Sequence, residues 1–256
     1  MPTPKFILSV LARAARGTAI VDRGYRVFDR LRSKLVLRCA SDAFYEVYNE
    51  VTYASQKIYR TGNVDFREAL FPFEERAISQ HFPAPPRSVL VGGAGGGREA
   101  FALARRGYEV IAFEPVLGLV TMIERNRGEL PVEALVGRYE DLPIMQSPAQ
   151  PPAPIDLRSR EPFAAAIMGW GSFSHIRSDK QCVEALRQIS YLTRGPILIS
   201  YLHPGYVGGV PAAGFTPIVG FFRTFSGEGI RSLAELAELK VIHLDEDNWP
   251  HAVLHA

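Results

Sequence analysis

The chain has 256 residues, of which 47% are hydrophobic and 22% charged, a balance that suits one α/β domain with an appendage. Its two cysteines, Cys39 and Cys182, have no CxxC pair or neighbouring histidine cluster, which excludes a disulfide framework and a structural zinc and fits a reducing cytoplasm. The net charge of +2 hides a local +7 over residues 1–40, so the remainder sums to −5, a sign that argues against a nucleic-acid partner for the body of the protein.

In chain order, residues 6–12 form an apolar run too short, and too soon followed by arginine, for a secretory signal. No run of about 18 apolar residues is present to span a membrane. Arg23, Arg26, Arg30, Lys34 and Arg38 step by three or four and share one helix face, with Tyr25, Phe28, Leu31 and Leu35 on another. Such a basic amphipathic helix is a solvated cationic face or a dock for a membrane surface or an anionic substrate, and both readings stay open. A helical, tyrosine-bearing stretch then runs to the proline-punctuated segment 82–86.

From residue 88 short apolar runs alternate with amphipathic segments, the pattern of βαβ units on a parallel sheet. Strands are expected at 88–91, 109–113, 132–136, 163–168 and 196–202, with helices at 98–106, 117–127 and 179–192. The six prolines of 143–162 predict a long surface loop. A last helix at 230–239 precedes strands at 241–244 and 251–254, whose short connection forces an antiparallel hairpin.

The most informative stretch is Ser88-Val-Leu-Val-Gly92-Gly93-Ala94-Gly95-Gly96-Gly97-Arg98, a strand running through five glycines into a helix. Glycines there let the backbone take positive φ and approach a ligand closely, with the N–H groups of the next helix beyond. Glu114 ends the next strand, 17 residues after Gly97, where an acid accepts hydrogen bonds from both hydroxyls of a ribose. Together they point to an adenosine-containing ligand. Gly95-x-Gly97-x-x-Ala100 fits a dinucleotide fingerprint as well, so an NAD(P)-dependent oxidoreductase stays in view. His175 and His203 follow sheet strands at the carboxyl edge and are the candidate general bases. Seven glycines and five aromatics between 205 and 229 compose either a substrate lid or an ordinary loop.

The Gly93-x-Gly95-x-Gly97 frame, the acid at 114 and the closing hairpin resemble class I, Rossmann-like methyltransferases that use S-adenosyl-L-methionine. The resemblance runs from about residue 86 to 256. It implies a mostly parallel seven-stranded sheet with an antiparallel last strand, preceded by a helical cap over 1–85. It also implies cofactor contacts from Gly93, Ala94, Gly95, Gly97, Glu114 and Pro115, from Arg138, Tyr139 and Glu140 along an adenine, and from Gly169, Trp170 and Gly171 at the fourth-strand tip. Tyr45, Tyr48, Tyr53 and Tyr59 resemble the capping tyrosines of such enzymes. Val91, Arg138 and Ala164 depart from acids common at those positions. The fourth strand ends in Gly-Trp-Gly-Ser, without the proline pair of amino-nitrogen methylases or an acid to hold Mg²⁺, so no metal is expected.

The expected protein is thus a cytoplasmic methyltransferase of a small molecule, with O-, N- or C-methylation and a homodimer left open. Its rivals are a degenerate binding or partner protein of the same fold and, behind it, the oxidoreductase.

Overall fold

In the computed structural model the described residues are 69–149, 151–204, 223–247 and 249–256, with Ser41, Phe44, Val47 and Tyr53. Apart from Ser41 and Phe44 they belong to one unit built of residues 46–206 and 222–256. The basic helix at 23–38, Tyr45, Tyr48, Tyr59 and the segment 205–222 lie outside the described residues.

The sheet begins with β1 (Ser88–Gly92), β2 (Glu109–Glu114) and β3 (Val132–Val136), separated by α2 (Arg98–Ala104) and α3 (Leu117–Asn126). α1 (Pro72–His81) precedes them. After β4 (Ile144–Gln146) and β5 (Pro154–Asp156) come β6 (Ala165–Met168), α4 (Asp179–Leu192) and β7 (Ile197–Ser200). The chain closes with α5 (Gly227–Leu236), β8 (Lys240–Asp245) and β9 (His251–His255). The strand order is β5-β4-β3-β2-β1-β6-β7-β9-β8. β1 pairs in parallel with both β2 and β6, so the winding reverses beside β1, the place where α/β sheets take ligands.

Both faces of the sheet are covered, so its central strands are apolar throughout. Leu90, Phe113, Ala166 and Ile199 pack beneath Cys182, Leu186 and Ile189 of α4 and Ile230 and Leu233 of α5. Val89, Val91, Val110 and Ile167 face Ala77 and Ile78 of α1, Phe101 of α2 and Ile123 of α3. β9 is antiparallel to both β7 and β8, which completes the expected seven strands with the last one inserted in reverse.

Three expectations are corrected. The proline-rich stretch 143–162 is a hairpin, β4 with β5, which adds two short antiparallel strands at the sheet edge and makes nine among the described residues. Five of its six prolines fall outside the two strands, and Pro154, the first residue of β5, is tolerated because β5 is the edge strand among the described residues. The last helix starts at Gly227 rather than 230, because Ser226 accepts a hydrogen bond from the Gly229 N–H and caps it. Gly227 and Gly229 therefore belong to a helix, not to the loop their composition implied. No helix among the described residues is long and apolar enough to cross a membrane.

Candidate functional site

The loops after β1, β2, β3, β6 and β7 all leave the same, carboxyl edge of the sheet, and the reversed β9 starts there. That single fact gathers most of the residues picked out in the sequence.

In the glycine loop Gly93, Gly95 and Gly97 all have positive φ, at 62°, 54° and 87°. The Ala94 N–H donates to the Phe113 carbonyl at 3.1 Å and ties the loop to β2. Glu114 turns its carboxylate into the loop: Oε2 accepts from the Gly95 N–H at 3.0 Å and Oε1 from the Val116 N–H at 3.2 Å. The group is buried, and burial pushes its carboxyl up to about 7 although the two N–H donors pull the other way. A carboxylate offers about four acceptor positions, so two remain beyond those bonds. A vicinal diol supplies the matching pair of donors, and in that respect the residues present fit an adenosyl ligand.

Several glycines also answer to the protein's own packing. A Cβ at Gly92 would stand 2.5 Å from Phe113 and 2.6 Å from Tyr139. One at Gly93 would stand 2.4 Å from Ser172 Cβ, and one at Gly97 would stand 3.0 Å from both Ile123 and Phe101. Gly169, whose N–H donates to the Gly92 carbonyl at 2.7 Å, would place a Cβ 2.6 Å from the Gly93 carbonyl oxygen. The β1 and β6 tips thus touch through backbone alone.

After β3, Tyr139 is buried edge-on against Phe113, and its hydroxyl meets Ser172 Oγ at 2.6 Å. Burial holds the phenol well above its usual range. Arg138 is turned back onto Asp141, at 3.3 Å from its carboxylate. Ser172 opens a short helical turn, Ser172–His175, in which Ser174 Oγ accepts from the Leu202 N–H at 2.9 Å and the Ser174 carbonyl accepts from the Arg223 N–H at 2.7 Å. Gly171, at φ 69°, leads into that turn and donates its N–H to Ser200 Oγ at 2.9 Å.

The two candidate bases stand at this edge in different settings. His175 closes the turn, and its Nε2 lies 2.6 Å from the Tyr53 hydroxyl with the rings edge-on. His203, 43% exposed, has its Nε2 4.0 Å from Glu246, whose carboxylate also accepts from the Gly227 N–H.

A buried charge cluster frames the loop from the other side. Arg98, the first residue of α2, grips Glu74 of α1 with two hydrogen bonds of 2.6 and 2.7 Å and also pairs with Glu99. Burial opposes the guanidinium's charge, but the Glu99 and Glu74 carboxylates outweigh it and hold its proton more firmly than usual. Glu99 Oε1 in turn accepts from the Trp170 N–H at 3.1 Å.

Arg98 lies 4.0 Å over the Phe71 ring, which stacks on Trp249 at 4.9 Å. Trp170 meets both rings edge-on at 6.0 Å. Phe71 and Trp249 carried no sequence motif, and Ser172 stood in the fourth-strand motif without a role of its own. Their contacts bridge separate parts of the chain, and only the reversed sense of β9 brings Trp249, and His251 beside it, to this edge.

No protein-family model matches the chain. The cypemycin N-terminal methyltransferase of a Streptomyces species is 38% identical over 65 residues, 25% of this chain and 26% of that protein. The match therefore spans about a quarter of the relative's length.

Solved structures agree over far more of the chain. The CcbJ methyltransferase of Streptomyces caelestis covers 81% of this chain and 98% of its own, with a TM-score of 0.59 at 16% identity. A SAM-dependent methyltransferase of Leishmania major covers 82% of each chain, with a TM-score of 0.56 at 13% identity. The magnesium protoporphyrin IX methyltransferase of Synechocystis, solved with SAM bound, covers 85% of this chain and 99% of its own, with a TM-score of 0.55 at 11% identity. The fold is that of the class I, Rossmann-like methyltransferases.

Proposed function

We propose that the protein is an S-adenosyl-L-methionine-dependent methyltransferase acting on a small molecule. The observation that carries the reading is Glu114, a buried carboxylate at the end of β2 with acceptor capacity left over, held against the glycine loop by the Gly95 and Val116 N–H groups. The methyltransferase fold of its neighbours and the match to the cypemycin enzyme support it.

When bound, S-adenosylmethionine supplies a methyl group on a sulfonium that serves as leaving group. In this reading Glu114 holds the ribose, with Gly93, Ala94, Gly95, Gly97 and Pro115 beside it. Arg138, Tyr139 and Glu140 border the adenine, and Gly169, Trp170 and Gly171 border the methionine end. Holding nucleophile and methyl carbon in line is the enzyme's main task, worth about 7–11 kcal/mol. His175 and His203 are the bases available when the nucleophile starts with a proton. In this reading residues 1–85 serve as a cap to a catalytic domain at 86–256, and the basic stripe at 23–38 is either a solvated face or a contact for a membrane surface or an anionic substrate.

Calorimetry with S-adenosylmethionine and S-adenosylhomocysteine tests the site, with NAD and NADP as controls. Radiolabelled methyl transfer to amines first, then phenols and carboxylates, tests turnover. Binding of a dinucleotide in place of both adenosyl ligands refutes the reading.

A second reading is a binding or partner protein of the same fold without turnover. It is favoured by Tyr139 and Ser172, which occupy the space beside Gly92 and Gly93, and by Val91, Arg138 and Ala164, where acids are common. Tight S-adenosylhomocysteine binding with no transfer to any acceptor class would single it out.

A further inference from the structure

The amino edge of the sheet, opposite the loops described above, holds a cleft of about 510 Å³. Residues just before β1, β6 and β7 form it together with the end of α1. Phe82, Pro83, Pro162 and Pro196 supply apolar walls, and Arg87 and Arg194 line it beside them. The volume suits a small organic molecule, for which clefts of roughly 300–1,000 Å³ are usual.

Backbone and buried hydrogen bonds fix these walls. The Ala164 N–H donates to the Ser88 carbonyl and the Arg194 N–H to the Phe163 carbonyl, each at 2.9 Å. The Tyr108 hydroxyl donates to the Pro83 carbonyl at 2.9 Å. Gly195 brings two strand starts so close that a Cβ there would stand 2.0 Å from the Ala164 carbonyl oxygen. The cleft is therefore shaped before any ligand arrives.

Its charge is one-sided. Arg87 reaches the Pro86 carbonyl at 3.4 Å, and among the described residues neither guanidinium pairs with an acid. Glu109, level with Ser88 in the sheet, and Glu161, next to Pro162 in the chain, are not among the lining residues. Arg194 stands just past α4, where a cation offsets the helix dipole, but Arg87 follows a proline pair and has no such reason to be there. The carboxyl ends of α1 and α4 both reach this edge and disfavour an anion. Each carries about half a negative charge, which leaves the two whole positive charges ahead.

His81, at the end of α1, lines the same cleft, and its Nε2 is buried without a hydrogen bond among the described residues. Desolvation first, and then the neighbouring His243, hold that imidazole below its usual range. The ring is therefore neutral at pH 7.5, and the arginines are the charges of the cleft. The chain beyond residue 40 sums to −5, so this positive field is local.

We propose that the cleft is a second binding site, separate from the adenosyl site, for a small phosphate monoester with a flat apolar body. Two guanidinium forks match the oxygens of a phosphate and its charge of about −1.5 to −2 at pH 7. Phe82 and the prolines accept the rest of the molecule. The inference goes beyond methyl transfer and does not depend on it.

Phenyl phosphate is the probe, titrated by calorimetry at pH 7.5 into the full chain with and without S-adenosylhomocysteine. It is expected to bind with a Kd below about 1 mM, equally well in both conditions. Inorganic phosphate, which lacks the apolar body, and benzoate, which carries one charge, should each bind at least about tenfold more weakly.

Arg87→Gln and Arg194→Gln should each weaken phenyl phosphate by about five- to tenfold and leave S-adenosylhomocysteine affinity within about twofold. Arg125→Gln, which removes an exposed charge on α3, should leave both affinities within about twofold. In the wild type the His81 imidazole resonances should move with phenyl phosphate and those of His175 should stay, a readout independent of the variants.

Absence of binding at 1 mM, displacement of the probe by S-adenosylhomocysteine, or equal affinity for inorganic phosphate or benzoate would overturn the proposal. Wild-type affinity in the Arg87→Gln Arg194→Gln double variant, or unmoved His81 resonances, would do the same.

Discussion

Replacing Glu114 by glutamine removes the charge at the centre of the proposed site and keeps the shape. The carboxylate accepts from the Gly95 and Val116 N–H groups through different oxygens; an amide has one oxygen, so one donor is left facing an NH₂. More important for binding, the amide has fewer acceptor positions for a ribose diol and no charge to strengthen the bonds.

Losing that interaction should weaken S-adenosylhomocysteine binding by about 1–3 kcal/mol, roughly 5- to 150-fold, measured by calorimetry at pH 8. The pH dependence sharpens the test. Burial pushes the folded carboxyl up to about 7 from 4.5, so between those values the folded state holds a proton that the unfolded chain has lost. Its stability contribution is fully present below 4.5 and is lost as the pH rises through 7, by about 3 kcal/mol at most.

Ribose hydroxyls, in contrast, favour the ionised form, so wild-type affinity should rise between pH 5.5 and 8. In Glu114→Gln both the stability slope from this group and the affinity slope should flatten. Equal affinity of the two proteins at pH 8, with wild-type binding flat across that range, would refute the assignment of Glu114 as the ribose anchor.

Other substitutions probe the frame around it. Gly169→Ala places a methyl 2.6 Å from the Gly93 carbonyl oxygen and 3.1 Å from that of Gly92. It should cost about 1–3 kcal/mol in denaturant unfolding and weaken S-adenosylhomocysteine binding. Gly118→Ala, in α3 with nothing within 4 Å of the new methyl, should instead stabilise by about 0.5–1 kcal/mol. Ser172→Ala strands the buried Tyr139 hydroxyl and should lower stability by about 1–3 kcal/mol, a loss that Tyr139→Phe in the same background should largely restore. Cys182 is fully buried and its thiol is pushed up to about 12, chiefly by desolvation; iodoacetamide at pH 8 should leave its peptide unmodified in mass spectrometry until denaturant is added.

What the sequence made legible was whatever depends on local pattern. β3 and α4 occur at the expected residues, and β1, β2, α2 and α3 differ only at their ends. In each, burial on two faces or one imposes a period that neighbouring residues display. The β4–β5 hairpin was hidden because prolines signal a loop unless the strand is at an edge, and edge position is a property of the whole sheet. The start of α5 was hidden because glycines mask a helix that Ser226 caps and the Glu246 carboxylate braces from β8's end.

The site divides in the same way. Glu114 and the glycine loop are neighbours through adjacent parallel strands, so strand order alone brings them together. Tyr53 on His175, Trp249 on Phe71 and Arg98 on Glu74 join positions far apart in the chain, and no spacing rule reaches them. The glycine run itself carried two messages at once, since packing against Tyr139, Ser172 and Phe101 requires small residues at the same positions that a ligand would.

The buried charges around Arg98 raise the question of why that edge is not simply apolar. Arg98 and Glu74 are 12% and 2% exposed at their side chains, and ion pairs so desolvated generally give no more stability than well-packed apolar residues of the same size. Removing one partner is another matter: Arg98→Met leaves Glu74 and Glu99 as buried carboxylates near one another. It should cost about 3–5 kcal/mol, or at least about 6 °C in Tm for a chain of this size.

Arg98→Met combined with Glu74→Met should recover the part of that loss due to Glu74, while Glu99 stays buried without its cation. If the cluster exists to fix position, the double variant will regain Tm relative to Arg98→Met without regaining ligand affinity. The guanidinium is what ties the first turn of α2 to α1 and to Glu99, and Glu99 holds the β6 tip through the Trp170 N–H. A double variant that recovers both Tm and S-adenosylhomocysteine affinity would show the charges to be dispensable, and would separate the helix before the sheet from the geometry of the site.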